Sequence, residues 1–362
     1  MRGIYDGYTL IKTNGETTYF AGGNTESGFV GSYEDIANEN DLERVYIIKG
    51  GPGTGKSTLM RAIAKRAEAA GCETEYYRCG SDSDSLDCVL LDKKLGVLDG
   101  TAPHVWEMKY PGVRSELIDV SKYLDKDQLE AHKDEIIYAS AMKASEYSSA
   151  YRYMKAVSVA ESEMLENSSR LFDWNKAGKY IKRFVKSIGK PTGDGGLSKR
   201  FTHAVTVKGI SCLDTLKHAG RIRYTVADSL SVAPHFMGML KDALEKEGFT
   251  LTVGLVPLGG HVSGIYVHDA DICVETGERE EGSKNINMNR FVIRQNEGGV
   301  KGKIRLAAKV RESCLSEAVS SLKSAAEHHF TLEEIYKSSM DFEAMFAEIE
   351  PLIGQIMLRM KK

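Results

Sequence analysis

The chain of 362 residues is 42% hydrophobic and 27% charged, and 48 Lys/Arg against 51 Asp/Glu leave a net charge of −3. This composition excludes a disordered chain, and its near-neutral balance argues against general polyanion binding while leaving local patches open. Apolar runs reach only four residues, as in Val45-Tyr46-Ile47-Ile48, which excludes a membrane-spanning helix.

The length allows two to three domains with large cores. No secretory hydrophobic region follows Met1, and the six cysteines show no CxxC spacing. Reduced thiols in a cytoplasmic protein are the expectation.

Residues 1–43 read as short strands and turns, with a turn cluster at Gly22-Gly23-Asn24. Val45–Lys49 reads as an apolar strand. Leu59, Ile63 and Ala67 share one face of a helix over Lys56–Ala70. Glu73–Cys79 and Leu95–Leu98 read as further strands, and strand–helix–strand at this pitch predicts a parallel α/β sheet. Residues 115–177 contain neither Gly nor Pro over 63 positions, which predicts one or two long helices. Asp125, with Gln128 three residues on, is the expected N-cap. Lys190–Lys199 reads as a linker.

A second α/β pattern follows. With an offset of 177, residues 44–99 align on 221–276 without a gap and with six identities in 56 positions. The apolar pattern agrees better than the identities: Leu59, Ile63 and Ala67 become Phe236, Leu240 and Leu244, and both helices stop at a glycine. Phe172-Asp173-Trp174 recurs as Met340-Asp341-Phe342. An internal duplication is therefore expected. The organisation expected is a first α/β core at 1–114, a helical segment at 115–189 and a linker at 190–200. A second α/β core at 201–300 and a helical segment at 301–362 complete it.

Gly50-Gly51-Pro52-Gly53-Thr54-Gly55-Lys56-Ser57, followed by Thr58, fits GxxxxGK[ST] between a strand and a helix. Glycines let successive backbone N–H groups converge into an anion nest, and the helix adds its positive end. Lys56 is expected on the β- and γ-phosphates and Ser57 on Mg²⁺. Asp99, closing the Leu95–Asp99 run, is the expected acidic partner of the metal. Gly100 follows it where many ATPases carry a water-orienting Glu, so slow hydrolysis or transfer to another acceptor is favoured. Asp82, Asp84 and Asp87 are read first as caps of a following helix and second as ligands of metal-bound water or of a cationic substrate. His104 is a candidate γ-phosphate sensor or acid/base, or a loop histidine with a packing role. No NKxD signature is present, so ATP is the expected nucleotide.

On the same offset Gly55, Lys56, Ser57 and Asp99 become Val232, Ala233, Pro234 and Thr276, so the second half is expected to be non-catalytic. Lys176–Arg200 carries eight Lys/Arg against one acid, a local charge of +7. It reads as a solvated face, as a surface for nucleic acid, protein or another anionic surface, or as the source of Arg183 or Arg200 for a phosphate in trans.

The runs YFAGGNTESGF (19–29), GGPGTGKSTLM (50–60), CGSDSDSLDCVLL (79–91) and LDGTAPHVWEMKYPG (98–112) resemble a family of uncharacterised bacterial P-loop ATPases built from tandem halves. The resemblance covers nearly the whole chain, and DGTAPH…YPG is its most distinctive part. It implies ATP binding by residues 50–57 and roles for Asp99 and His104. The second half of such proteins can retain its own P-loop; here Ala233-Pro234 stands in place of Lys-Ser.

The expected fold is α/β: a P-loop NTPase with a parallel sheet flanked by helices, duplicated, with long helical insertions. The expected function is Mg²⁺-dependent ATP binding and hydrolysis at one site per chain. Lys56, Asp99 and His104 are the expected catalytic residues, residues 50–58 the nucleotide-binding set, and Ser57 and Asp99 the metal ligands. A small-molecule kinase and a nucleotide-gated binding module are the alternatives.

Overall fold

A computed structural model describes residues 8–36, 42–102, 106, 108, 110–278, 281–293 and 298–360. The chain opens with strands β1 (Thr9–Ile11), β2 (Thr17–Phe20), β3 (Gly22–Thr25) and β4 (Gly28–Gly31) and the short helix α1 (Tyr33–Ile36). Next come β5 (Arg44–Lys49), α2 (Lys56–Ala69), β6 (Thr74–Arg78), β7 (Leu86–Leu91), β8 (Leu95–Asp99) and β9 (Ser115–Asp119). Helices α3 (Lys126–Ala131), α4 (Lys133–Ser169) and α5 (Trp174–Ser187) follow. The pattern then resumes with β10 (Gly196–Phe201), β11 (His203–Thr206), β12 (Gly209–Leu213), β13 (Ile222–Ala227), α6 (Ala233–Lys246), β14 (Thr250–Val256), β15 (His261–Val267), β16 (Ile272–Thr276) and β17 (Lys284–Asn287). Helices α7 (Gly298–Ser338) and α8 (Phe342–Met360) come last.

The chain forms two compact units, each assembled from separated stretches. One comprises Glu16–Gly22, Gly31–Ala150 and Ser320–Lys362; the other comprises Met1–Gly15, Gly23–Val30 and Tyr151–Val319. We call them the first-sheet and second-sheet units.

In the first-sheet unit the strand order is β2-β6-β7-β8-β5-β9. All neighbours are parallel except β7, which runs antiparallel to both β6 and β8. The sheet is thus mostly parallel. Leu59, Met60, Ile63, Ala64 and Ala67 of α2 bury one helix face against it. Met345, Ile349, Ile353 and Ile356 of α8 join the same core. Each of these Leu, Ile and Met side chains contributes roughly 1.5–3 kcal/mol on full burial. Tyr33, Ile36, Leu42, Ile47, Tyr77 and Leu90 belong to a second core, which Trp106 and Met108 flank.

Two sequence expectations change in this unit. The helix expected after Asp82, Asp84 and Asp87 is strand β7. Its Leu-Asp-Cys-Val-Leu-Leu run is buried at every position between two neighbours, where a continuous apolar strand belongs. Asp82 instead organises a turn, accepting from Asp84 N (3.1 Å) and Ser85 Oγ (2.6 Å). The first five residues of the Gly- and Pro-free stretch form β9, which adds to β5. Asp125 does cap α3, accepting from Asp127 N and Gln128 N.

The second-sheet unit repeats the arrangement. Its strand order is β17-β13-β16-β15-β14-β10, with β15 the antiparallel member. Helix α6 lies at the offset of 177 from α2, residue for residue. The register breaks at Tyr77/Arg78 in β6–β7 and at Gly254/Leu255 in β14–β15, again at that offset. Phe172, Ile181, Phe184 and Val185, in and just before α5, enter this core with Phe236, Met237 and Leu240 of α6. The expected linker ends in β10. The unit also holds a smaller sheet, β1-β12-β11.

Each sheet is therefore packed by a helix from the far end of a long helical segment. The entries to α5 and α8 match as well. Asp173 N donates to Phe291 O and Asp341 N to Tyr123 O, and each aspartate caps its own helix. Among the described residues, no helix is long and apolar enough to cross a membrane, and no disulfide joins the six cysteines.

Candidate functional site

The candidate site lies at the C-terminal ends of β5 and β8, where parallel strands deliver their loops to one edge. Residues 50–55 connect β5 to α2. Gly53 (φ 70°) and Gly55 (φ 83°) take the left-handed conformation that L-residues avoid. A Cβ on Gly53 would also lie 2.6 Å from the backbone oxygen of Glu333, so this position admits glycine alone without movement. Thr54 Oγ1 donates to Gly51 O (2.8 Å) and braces the turn.

Lys56, in the first turn of α2, folds back over the loop. Its Nζ donates to Gly50 O (3.1 Å) and Gly51 O (2.8 Å) and lies 3.7 Å from Asp99 Oδ2. Ser57 Oγ accepts from Leu86 N (3.0 Å). Asp99 Oδ1 accepts from Thr101 N (2.8 Å), and Thr101 Oγ1 donates to Gly50 O (3.0 Å). The loop, Lys56, Ser57 and Asp99 are thus brought together. Gly50, Gly51, Pro52, Gly53 and Gly55 are part-buried, Thr54 is buried and Thr58 faces solvent. His104 lies outside the described residues.

Asp87 is a member of the site that its sequence context hides. Cys88 pairs with Leu98, so Asp87 stands opposite Asp99 across β7 and β8. Burial, reinforced by the Asp99 charge, pushes its carboxyl well above the usual range. The signal was an acid inside an apolar run, which suits a strand position better than a helix cap.

Helix α7 and the residues after it lie against the loop. A Cβ on Gly51 would meet the Tyr336 ring at 2.6 Å, and one on Gly55 the Phe342 ring at 3.2 Å. Lys143 of α4 donates to His329 Nδ1 of α7 (3.4 Å), and His329 Nε2 is 3.4 Å from Glu333. The His329 contact draws the Glu333 carboxyl below its usual range. A separate cleft, lined by Glu43, Arg44, Asp92, Lys94 and Arg359 among others, lies at the opposite ends of β5 and β8.

The second-sheet unit fills the equivalent loop with its own anion. Asp228, at the place of Gly51, accepts from Leu230 N (2.8 Å) through Oδ1 and from Ala233 N (2.7 Å) through Oδ2. A side-chain carboxylate thus takes the first N–H of α6 and one N–H of the turn before it, where no Lys, Ser or Asp counterpart remains.

The basic residues Lys176, Lys179, Lys182, Arg183 and Lys186 line the exposed face of α5, while Ala177, Ile181, Phe184 and Val185 are buried. No protein-family model, curated protein or solved structure matches the chain.

Proposed function

We propose that the first-sheet unit is a P-loop site that binds ATP with Mg²⁺ and hydrolyses it, one site per chain. The observation that carries this reading is the placement of Lys56. Its ammonium sits between two loop carbonyls and 3.7 Å from Asp99, at the edge where the loop meets the first turn of α2. Phosphate oxygens are stronger acceptors for a lysine than neutral carbonyls. Lys56 would turn from Gly50 and Gly51 to the β- and γ-phosphates as the nucleotide enters.

Ser57 and Asp99 fit a Mg²⁺ bound through one hydroxyl, one carboxylate, water and phosphate oxygens. Among the described residues no cluster of three His, Cys, Asp or Glu makes a cage of its own, which suits a metal that arrives with the nucleotide. The ion would neutralise charge on the β- and γ-phosphates. Asp99, oriented by Thr101 N, would hold water or metal at this edge, and Asp87 would supply a second carboxyl group where Gly100 provides none. The Asp228-filled loop of the other unit leaves no room for a second nucleotide in the same manner.

The test is equilibrium binding of ATP with Mg²⁺, followed by phosphate release. Lys56→Ala is expected to weaken ATP by about 30-fold or more. Asp99→Asn is expected to keep binding within about tenfold while turnover falls about 100-fold. One ATP per chain is the expected stoichiometry. Wild-type affinity in Lys56→Ala, or two equivalents bound, removes the basis for this reading.

A further inference from the structure

The two long helices carry the same positions at an offset of 168, the offset that also relates Asp173 to Asp341. On it Lys143 corresponds to Arg311 and Glu161 to His329. Both pairs meet in space, each within one compact unit. In the second-sheet unit Arg311 Nε and Glu161 Oε1 form an ion pair at 2.7 Å, 9% and 3% exposed. In the first-sheet unit the cation is Lys143, and its partner is the imidazole of His329.

The difference changes what the cation is free to do. A buried guanidinium held by a carboxylate is costly to separate. A lysine on an imidazole nitrogen is held by one long hydrogen bond, and among the described residues Lys143 makes no ion pair. Its charge is therefore available to an anion. Burial lowers the Lys143 pKa; Glu333 opposes this and the Lys56 ammonium adds to it. Glu333 itself touches the loop, its backbone lying against Gly53. Lys143 is thus linked to the loop through His329 and Glu333, while Lys56 lies on the same loop from α2.

We propose that Lys143 makes the loop select a nucleoside triphosphate over a diphosphate, its ammonium moving from His329 to the terminal phosphate. The proposal rests on the ATP-site reading above. A diphosphate, held by the loop and Lys56, ends short of this second cation, whereas a γ-phosphate adds charge that it can pair. The second-sheet unit has closed both features at once, with Asp228 in the loop and Glu161 on the cation.

The experiment measures the affinities of the full-length chain for ADP and for a non-hydrolysable ATP analogue, both with Mg²⁺. Lys143→Met keeps the aliphatic stem and removes the charge. It is expected to weaken the analogue by about tenfold or more and ADP by less than about twofold, while Lys143→Arg keeps the preference. His329→Glu installs the carboxylate that Glu161 provides in the other unit. It is expected to hold Lys143 in place and abolish the preference with the lysine intact, which keeps the idea testable if Lys143→Met folds poorly. Unchanged ratios in both variants, or equal weakening of both ligands, overturn the role of Lys143. A wild-type chain that binds neither ligand overturns the ATP-site reading and this proposal with it; binding with an unaltered ratio overturns this proposal alone.

Discussion

His203 is enclosed in the second-sheet unit, edge-on to the Tyr8 ring and beside the Thr202 hydroxyl. Burial, helped by Lys217, lowers its pKa to about 3. The folded chain therefore keeps the imidazole neutral while the unfolded chain protonates it near 6.5. This group's stabilisation is complete above that value and lost as pH falls from about 6.5 towards 3. At pH 5 the loss is about 2 kcal/mol relative to pH 8. Urea denaturation at the two pH values should show the wild type losing about that much more than His203→Gln; parallel behaviour would mean that the imidazole is not held neutral. The candidate site was legible at this scale where one loop carries its residues. Gly50–Ser57 and Asp99 follow from spacing because strand, turn and helix are contiguous. Lys143, His329 and Glu333 were not legible, since two helices far apart in the chain bring them to the loop.

At the scale of elements, Asp228 ties the turn before α6 to the helix's first N–H, that of Ala233. Removing such a cap costs about 1–2 kcal/mol. Asp228→Ala should lower the melting transition followed by Trp174, whose ring lies 4.3 Å from that of His235 in α6. An unchanged transition would show that the turn holds itself. Helix α2 and strands β5, β6 and β8 follow from periodicity, because each buries a single face or lies wholly inside. Strand β7 does not: six apolar-rich residues carry no period, and the acids before them imitate a cap. Strand β9 was hidden by composition, since absence of Gly and Pro permits a strand as readily as a helix. Which sheet receives α5 and which α8 depends on contacts remote in sequence, to which local pattern is blind.

At the scale of the whole molecule, the two units carry the same strand order, and neither is one continuous stretch of chain. Each holds one tryptophan, Trp106 in the first-sheet unit and Trp174 in the second, so each can be followed separately. Ile353→Ala removes a side chain of α8 that is 2% exposed in the first-sheet core. It should cost that unit about 2–5 kcal/mol. With Trp174 replaced by Phe, the denaturant midpoint reported by Trp106 should fall accordingly; an unmoved midpoint would mean that α8 is dispensable there. The dependence of the first sheet on α8 also bears on synthesis. On the ribosome, β10 to β17 emerge after α5 and can condense on a helix already made. The strands from β5 to β9 have no such helix waiting, and the part of their core that Met345, Ile349, Ile353 and Ile356 complete stays open until α8 leaves the exit tunnel. The nascent chain is therefore most exposed to self-association while its second half is being translated.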